Sequence, residues 1–162
     1  MARSVVPVAI ALGSNLGDRE AHLRFAVDRL AALLAGLRVS PFRETAPVGV
    51  PLQPDFLNGA VVGTTTLSAE ALLARLLDIE AERGRTRPVP GAPRTLDLDL
   101  ILHGDAVIDV PGLTMPHPRF RERAFVLEPL ADIAPWMRDP VSGRTVAELW
   151  EALHAAGNSG RP

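Results

Sequence analysis

The sequence predicts an α+β fold in which helices pack on an antiparallel sheet, and three observations point there. Between Val5 and His103, strand-like and helix-like runs follow the order strand, helix, strand, strand, helix, strand. That order is the ferredoxin-like βαββαβ arrangement. The last third adds short segments read as a C-terminal hairpin and short helices. The length of 162 residues suits one domain, 1–162, with a full core, and no internal repeat or low-complexity stretch interrupts it.

Val5 to Leu12 is a nearly continuous apolar run, as expected of a strand buried on both faces. Gly13 to Asp18 is a loop that ends at a helix start, with Asp18 as N-cap. Leu23, Ala26, Val27, Leu30, Leu33, Leu34 and Leu37 recur at helical spacing, and Gly36 is the expected C-terminal stop. Leu37 to Thr45 reads as a second strand, followed by an irregular loop around Pro47, Gly49, Pro51 and Pro54. Phe56 to Thr66 reads as a third strand. Ser68 caps a second helix whose stripe is Ala69, Leu72, Leu73, Leu76 and Leu77. At ~100° per residue, Glu80 falls inside that stripe. It is either buried and bonded to one of Arg83, Arg85 and Arg87, or solvated beyond an early helix end.

The centre of the chain is RTRPVPGAPRTLDLDLILHG, Arg85 to Gly104. Strand geometry puts Leu96, Leu98, Leu100 and Leu102 on one face and Asp97 and Asp99 on the other. The two carboxylates then stand roughly 6.5 to 7 Å apart and repel each other unless cations lie over them. A divalent metal carrying phosphate oxygens suits such a site, and Arg85, Arg87 and Arg94 adjoin it. The plainer reading is a half-exposed strand keeping one face wet.

His103-Gly104-Asp105 turns into an expected partner strand, Ala106 to Val110. Short helical stretches follow around Arg119 to Arg123 and Glu128 to Ile133. Thr145-Val146-Ala147-Glu148 fits a capping box, and Val146, Leu149, Trp150 and Leu153 give the last helix its apolar face. The tail after about Ala156 is expected to be flexible. His117 lies between two prolines, outside any helix interior. Phe56 and Asn58 share a strand face and offer an aromatic platform and an amide to a flat heterocycle, or else pack as ordinary core and bulge.

Together these pieces resemble the 6-hydroxymethyl-7,8-dihydropterin pyrophosphokinase family of folate biosynthesis. The resemblance runs from the first strand to about Pro135. It rests on Ala11-Leu12-Gly13-Ser14-Asn15-Leu16-Gly17-Asp18, Glu44-Thr45-Ala46-Pro47, Pro54-Asp55-Phe56-Leu57-Asn58 and Pro93-Arg94-Thr95-Leu96-Asp97-Leu98-Asp99. Pro116-His117-Pro118-Arg119 and Arg123-Ala124-Phe125-Val126-Leu127 complete the set.

The resemblance implies transfer of the terminal diphosphate of ATP to the pterin hydroxymethyl oxygen, with release of AMP. It makes Asp97 and Asp99 the ligands of two magnesium ions. Arg85, Arg87, Arg94, Leu100, Thr114, His117 and Arg123 would bind ATP, with Arg94 and Arg123 catalytic alongside the two aspartates. Phe56 and Phe125 would sandwich the pterin, while Asn58, Thr45, Ala46 and Val48 read its polar edge. The chain departs from the family pattern at Pro90-Gly91-Ala92, just before the Pro-Arg of the signature.

Absence of cysteine excludes disulfides and thiolate metal sites. A net charge of -2 with 4% aromatic residues argues against a nucleic-acid partner and leaves room for a small phosphorylated one. The N-terminal apolar run is too short to span a bilayer, so the expectation is a soluble, cytoplasmic monomer without membrane contact. Two other classes stay open on the residues alone: a two-metal nucleotidyltransferase or cyclase, and a non-catalytic ligand-binding domain of the same fold.

Overall fold

The apolar run near the start of the chain becomes the middle of the sheet. The computed structural model describes residues 4–46, 55–84 and 95–160. Its elements are β1 (Val6–Ser14), α1 (Arg19–Leu33), β2 (Ala35–Val39), β3 (Arg43–Thr45), β4 (Phe56–Thr65) and α2 (Ala69–Glu82). After them come β5 (Asp97–His103), β6 (Ile108–Val110), β7 (Leu113–Met115), a 3₁₀ turn (Phe120–Glu122), α3 (Ala124–Ile133) and α4 (Val146–Gly160). The main sheet runs β2-β4-β1-β5, with β3 also on β4, and every pairing is antiparallel. This is the ferredoxin-like topology that the element order predicts.

Each sheet face has its own core. Val8, Ile10, Leu12, Val61, Leu98 and Leu100 pack against Leu23 and Leu30 of α1 and Leu72 and Leu76 of α2. On the other face, Ala9, Ala11, Ala60 and Val62 meet Phe120, Val126, Leu127 and Leu130, with Val146 and Leu149 of α4 behind. The small residues there let α3 approach the strands closely.

Local signals placed the helix starts well. Asp18 accepts from the Ala21 amide at 3.1 Å, and Ser68 accepts from the Ala71 amide at 3.1 Å. Thr145 and Glu148 form the reciprocal box at 2.8 and 3.1 Å. The end of α1 differs from expectation: Leu34 is already extended, and Gly36 sits inside β2 with φ 61°. There the pairing register shifts between Ala35 and Arg38, so the glycine serves a β-bulge rather than a helix stop.

The single strand expected over Leu37 to Thr45 is split. Val39 faces Val61 and Arg43 faces Asn58, leaving one extra residue on the outer side. Pro41 lies in this break and cannot donate to a ladder. Within the break the Ser40 hydroxyl stands in for a backbone carbonyl, accepting the Ala60 amide at 2.9 Å.

Two further expectations are corrected by a bulge and a helix face. Ile10 faces Leu100 while Ala9 faces Leu102, so β5 gains a residue at Ile101 and its parity reverses. Leu102 therefore joins the α3/α4 core, not the face of Leu96, Leu98 and Leu100. In α2 the buried stripe is Ala69, Leu72, Leu76, Ile79 and Glu80, and Leu77 is exposed. Glu80 is only 3% exposed, and its carboxylate accepts the Leu98 amide of β5 at 2.7 Å. Arg83 is bonded to His22 and lies over the Phe25 ring; Arg85 and Arg87, the other arginines expected near Glu80, lie outside the described residues.

The partner strand expected after His103 is shorter and does not pair with β5. β6 pairs with β7 through a Pro111-Gly112 turn whose glycine has φ 84°. The outer edge of β5 is occupied otherwise: Glu80 takes the Leu98 amide, and the His117 amide donates to the Ile101 carbonyl at 3.0 Å. Helix α3 begins at Ala124, before the expected Glu128, with Pro129 in its interior. The preference of proline for a first turn is overridden by burial of Val126, Leu127, Leu130 and Ile133 on one face. Asp139, fully buried, ties the 3₁₀ turn to the segment before α4 through Arg121 and the Ser142 hydroxyl.

Candidate active site

Strand register assembles the site. Gly13 of β1 faces Asn58 of β4 on one side and Asp97 of β5 on the other, while Ala11 faces Ala60 and Asp99. These residues share a sheet face, and a strand spacing of about 4.8 Å sets the Asn58 and Asp97 backbones roughly 10 Å apart. Only a glycine stands between them. A cleft of about 380 Å³ opens over this row.

Its floor is Ala11, Leu12 and Gly13, flanked by Asp97 and Asp99. Phe56, Asn58, Thr45 and Ala46 form the second wall, and Arg119, Glu122, Arg123 and Phe125 close over from the 3₁₀ turn and the start of α3. Asn58 is buried, and its side-chain N–H donates to the Thr45 hydroxyl, which leaves one amide N–H and the amide oxygen for a ligand. The Arg123 guanidinium lies 5.6 Å from the Phe125 ring centre. Arg19 donates to the Asp55 carbonyl at 2.9 Å and pairs with Glu44, fastening together the ends of β3 and β4 beside the second wall. Arg43 bridges from β3 to Asp132 of α3 at 2.6 Å, tying the two walls.

Charge is distributed unevenly across the cleft. His117 is held below the ordinary histidine value of 6.5 by burial first and by Arg123 next, against an opposing pull from Asp97. Its Nδ1 accepts the Arg119 amide at 3.2 Å, so the neutral ring carries its proton on Nε2. Among the described residues no group of three or more His, Asp or Glu side chains is arranged to hold a metal. Asp97 and Asp99 are the carboxylates of the floor. Mg²⁺ takes one or two protein carboxylates and completes its shell with substrate phosphates and water, so the pair fits that ion.

Thr45, Ala46, Phe56, Asn58, Asp97, Asp99, Arg123 and Phe125 thus meet in one cleft. Leu100, Thr114 and His117 are not among the lining residues: the Leu100 side chain is buried in the α1/α2 core, Thr114 pairs with Asp109 in the β6/β7 hairpin, and His117 stands beside the cleft within the influence of Arg123 and Asp97. Arg85, Arg87, Arg94, Val48 and the segment Pro88 to Ala92 lie outside the described residues. Sequence reasoning assigned no role to Arg119 or Glu122. Glu122 and Arg123 lie three and four residues after Arg119, positions that share a face of a helical turn, and that spacing is the signal that would have found them.

The model of the 7,8-dihydro-6-hydroxymethylpterin-pyrophosphokinase (HPPK) family matches residues 9–135. The chain belongs to this family. It is 43% identical over 152 residues to a 2-amino-4-hydroxy-6-hydroxymethyldihydropteridine pyrophosphokinase of Pseudomonas aeruginosa, covering 93% of each chain. Proteins of the same name from Bacillus subtilis and Synechocystis sp. are 50% and 45% identical, over 76% and 89% of this chain and 75% and 74% of theirs. Among solved structures, a Plasmodium falciparum HPPK-DHPS triple mutant superposes with a TM-score of 0.79 at 13% identity, covering 99% of this chain. That likeness establishes the fold, and the chain spans 45% of that longer protein.

Proposed function

We propose that the cleft binds ATP over Asp97 and Asp99 and the pterin between Phe56 and Phe125, with Gly13 between the two halves. The protein transfers the diphosphate of ATP to the hydroxymethyl group of 6-hydroxymethyl-7,8-dihydropterin, in tetrahydrofolate biosynthesis. The observation that carries the arrangement is the Asn58-Gly13-Asp97 row, which brings an amide and two carboxylates to one small cleft.

In the reaction the hydroxymethyl oxygen attacks the β-phosphorus of ATP and loses its proton. The bond from that phosphorus to the oxygen bridging the α-phosphate breaks, and AMP leaves with that oxygen. Two Mg²⁺ ions on Asp97 and Asp99 would neutralise the triphosphate charge. Arg123, at the positive N-terminal end of α3, is placed to stabilise charge on the leaving side, with Arg94, Arg85 and Arg87 as further phosphate ligands. His117 donates its Nε2 proton to a phosphate oxygen. Phe56 and Phe125 stack on the pterin while Asn58, Thr45, Ala46 and Val48 meet its polar edge. Catalysis is by positioning and charge neutralisation, without a covalent intermediate.

The proposed acting unit is a monomer. No described helix is long and apolar enough to cross a membrane, and the reading places the protein in the cytoplasm. The test is the nucleotide product. AMP should accumulate only with the pterin acceptor and Mg²⁺, and Asp97→Ala should abolish it. Formation of ADP, or turnover indifferent to Asp97, overturns the proposal.

A further inference from the structure

Asp97 is the first residue of β5, and β5 is an edge strand with β1 as its one partner in the main sheet. Strand ends of this kind fray, yet the two aspartates must keep a fixed separation to share a ligand. Amide groups alternate in direction along a strand. Asp97 and Asp99 face Gly13 and Ala11 of β1, with Leu98 facing Leu12 between them, and the Leu98 amide is turned outward to the open edge. The carboxylate of Glu80 accepts that amide at 2.7 Å.

Glu80 sits in the apolar stripe of α2 between Leu76, Ile79 and the β5 leucines, and is almost wholly buried. Burying a carboxylate there costs several kcal/mol unless the group is bonded, so its retention needs a return beyond packing. The amide it holds belongs to the residue between the two aspartates, at the open edge of β5.

We infer that Glu80 is a positioning residue for the Asp97/Asp99 pair: by holding the Leu98 amide it clamps the tripeptide Asp97-Leu98-Asp99 from the side β1 leaves open. This rests on the proposed role of the two aspartates as metal ligands. The clamp is the acceptor oxygen on the Leu98 amide. Glutamine keeps an acceptor oxygen, whereas alanine removes it.

The test uses Mn²⁺ as a paramagnetic probe, titrated by electron paramagnetic resonance with α,β-methylene-ATP, in which the scissile bond is replaced. Wild type, Asp97→Asn, Glu80→Gln and Glu80→Ala are compared, and Leu98 amide exchange is followed by NMR in the metal-free proteins. Loss of a residue supporting a metal ligand typically weakens affinity 10–100-fold, so Glu80→Ala should weaken Mn²⁺ binding by about 10-fold or more and speed Leu98 exchange. Glu80→Gln keeps an acceptor oxygen and should keep the Leu98 amide protected. Wild-type Mn²⁺ affinity in Glu80→Ala, or weakened Mn²⁺ binding there with Leu98 exchange unchanged, overturns the inference. If Glu80→Ala does not fold, rapid Leu98 exchange in Glu80→Gln with unchanged Mn²⁺ affinity overturns it as well. Unchanged Mn²⁺ binding in Asp97→Asn instead sinks the parent reading, a result that the Glu80 variants do not mimic.

Discussion

Substituting Gly13 by alanine tests the cleft at its narrowest point. A Cβ built on Gly13 would lie 2.8 Å from the Asn58 side-chain oxygen and 3.6 Å from the Phe56 ring. Carbon and oxygen do not tolerate 2.8 Å, so Asn58 must swing away by several tenths of an ångström. Its side-chain N–H is bonded to Thr45, and that bond is strained or broken by the swing. Loss of one such bond costs about 1 kcal/mol, and misplacing the group that reads the pterin edge adds a similar amount. Together these predict a fall of roughly 10- to 100-fold in kcat/KM for the pterin. The KM for ATP should change by less than about twofold, because the clash is on the heterocycle side and not at Asp97. Steady-state kinetics with each substrate varied separately measures both. An internal control is available: in an Asn58→Ala background the clash is gone, so Gly13→Ala should add little further loss. Unaltered pterin kcat/KM in the single variant, or equal loss for both substrates, refutes the assignment of Asn58 to the pterin half.

Two other predictions concern titrating groups. Burial pushes the Asp139 carboxyl up, but bonds from Arg121, the Ser142 hydroxyl and the Val141 amide outweigh it and bring the group down to about 2 from 3.8. A depressed carboxylate contributes stability above its unfolded value, here on the order of 2 kcal/mol, and that contribution is lost as pH falls from 3.8 through about 2. Asp139→Asn should therefore lower the urea unfolding free energy by a similar amount at pH 7, with a gap that narrows in strong acid; equal stability at pH 7 contradicts the account. His117 is depressed in the fold by burial and by Arg123, so the unfolded chain binds its proton first as pH drops below 6.5. Stability is then retained above 6.5 and lost below it, and His117→Gln should flatten the decline in urea midpoint between pH 7 and 5.5; parallel profiles for the two proteins count against a neutral buried ring.

What could be read from the residues was what is decided locally. Asp18, Ser68 and the Thr145/Glu148 box bond within three residues of themselves, so the helix starts follow from composition and spacing. The bulges do not. Gly36 looks like a helix stop until β4 is present to pair with Ala35 and Arg38, and the split near Pro41 depends on Ala60 meeting the Ser40 hydroxyl. Glu80 shows the boundary well. Its place in an apolar stripe announces a buried partner, yet one such partner is a backbone amide 18 residues away that no side-chain pattern marks. Asp97, Asp99, Phe56 and Asn58 stood out because their residue types are unusual for their positions. Gly13 did not, because its place between Asn58 and Asp97 follows from strand order alone.

The bulge in β5 explains how one short strand serves both a polar cleft and an apolar core. In a regular strand the face of Asp97 and Asp99 would continue through Ile101 to His103, and an imidazole would enter the α3/α4 core. The extra residue turns both Ile101 and Leu102 to that core and rotates His103 to the opposite side, where its Nε2 meets the Leu67 carbonyl at 2.8 Å. The apolar half of β5 thus seats Leu127 and Leu130 of α3. With α3 held there, its first turn overhangs the aspartate half, and Arg123 and Phe125 reach the cleft from above. The change of parity at Ile101 is therefore what allows the two proposed walls, for phosphate and for pterin, to be built on a single helix end.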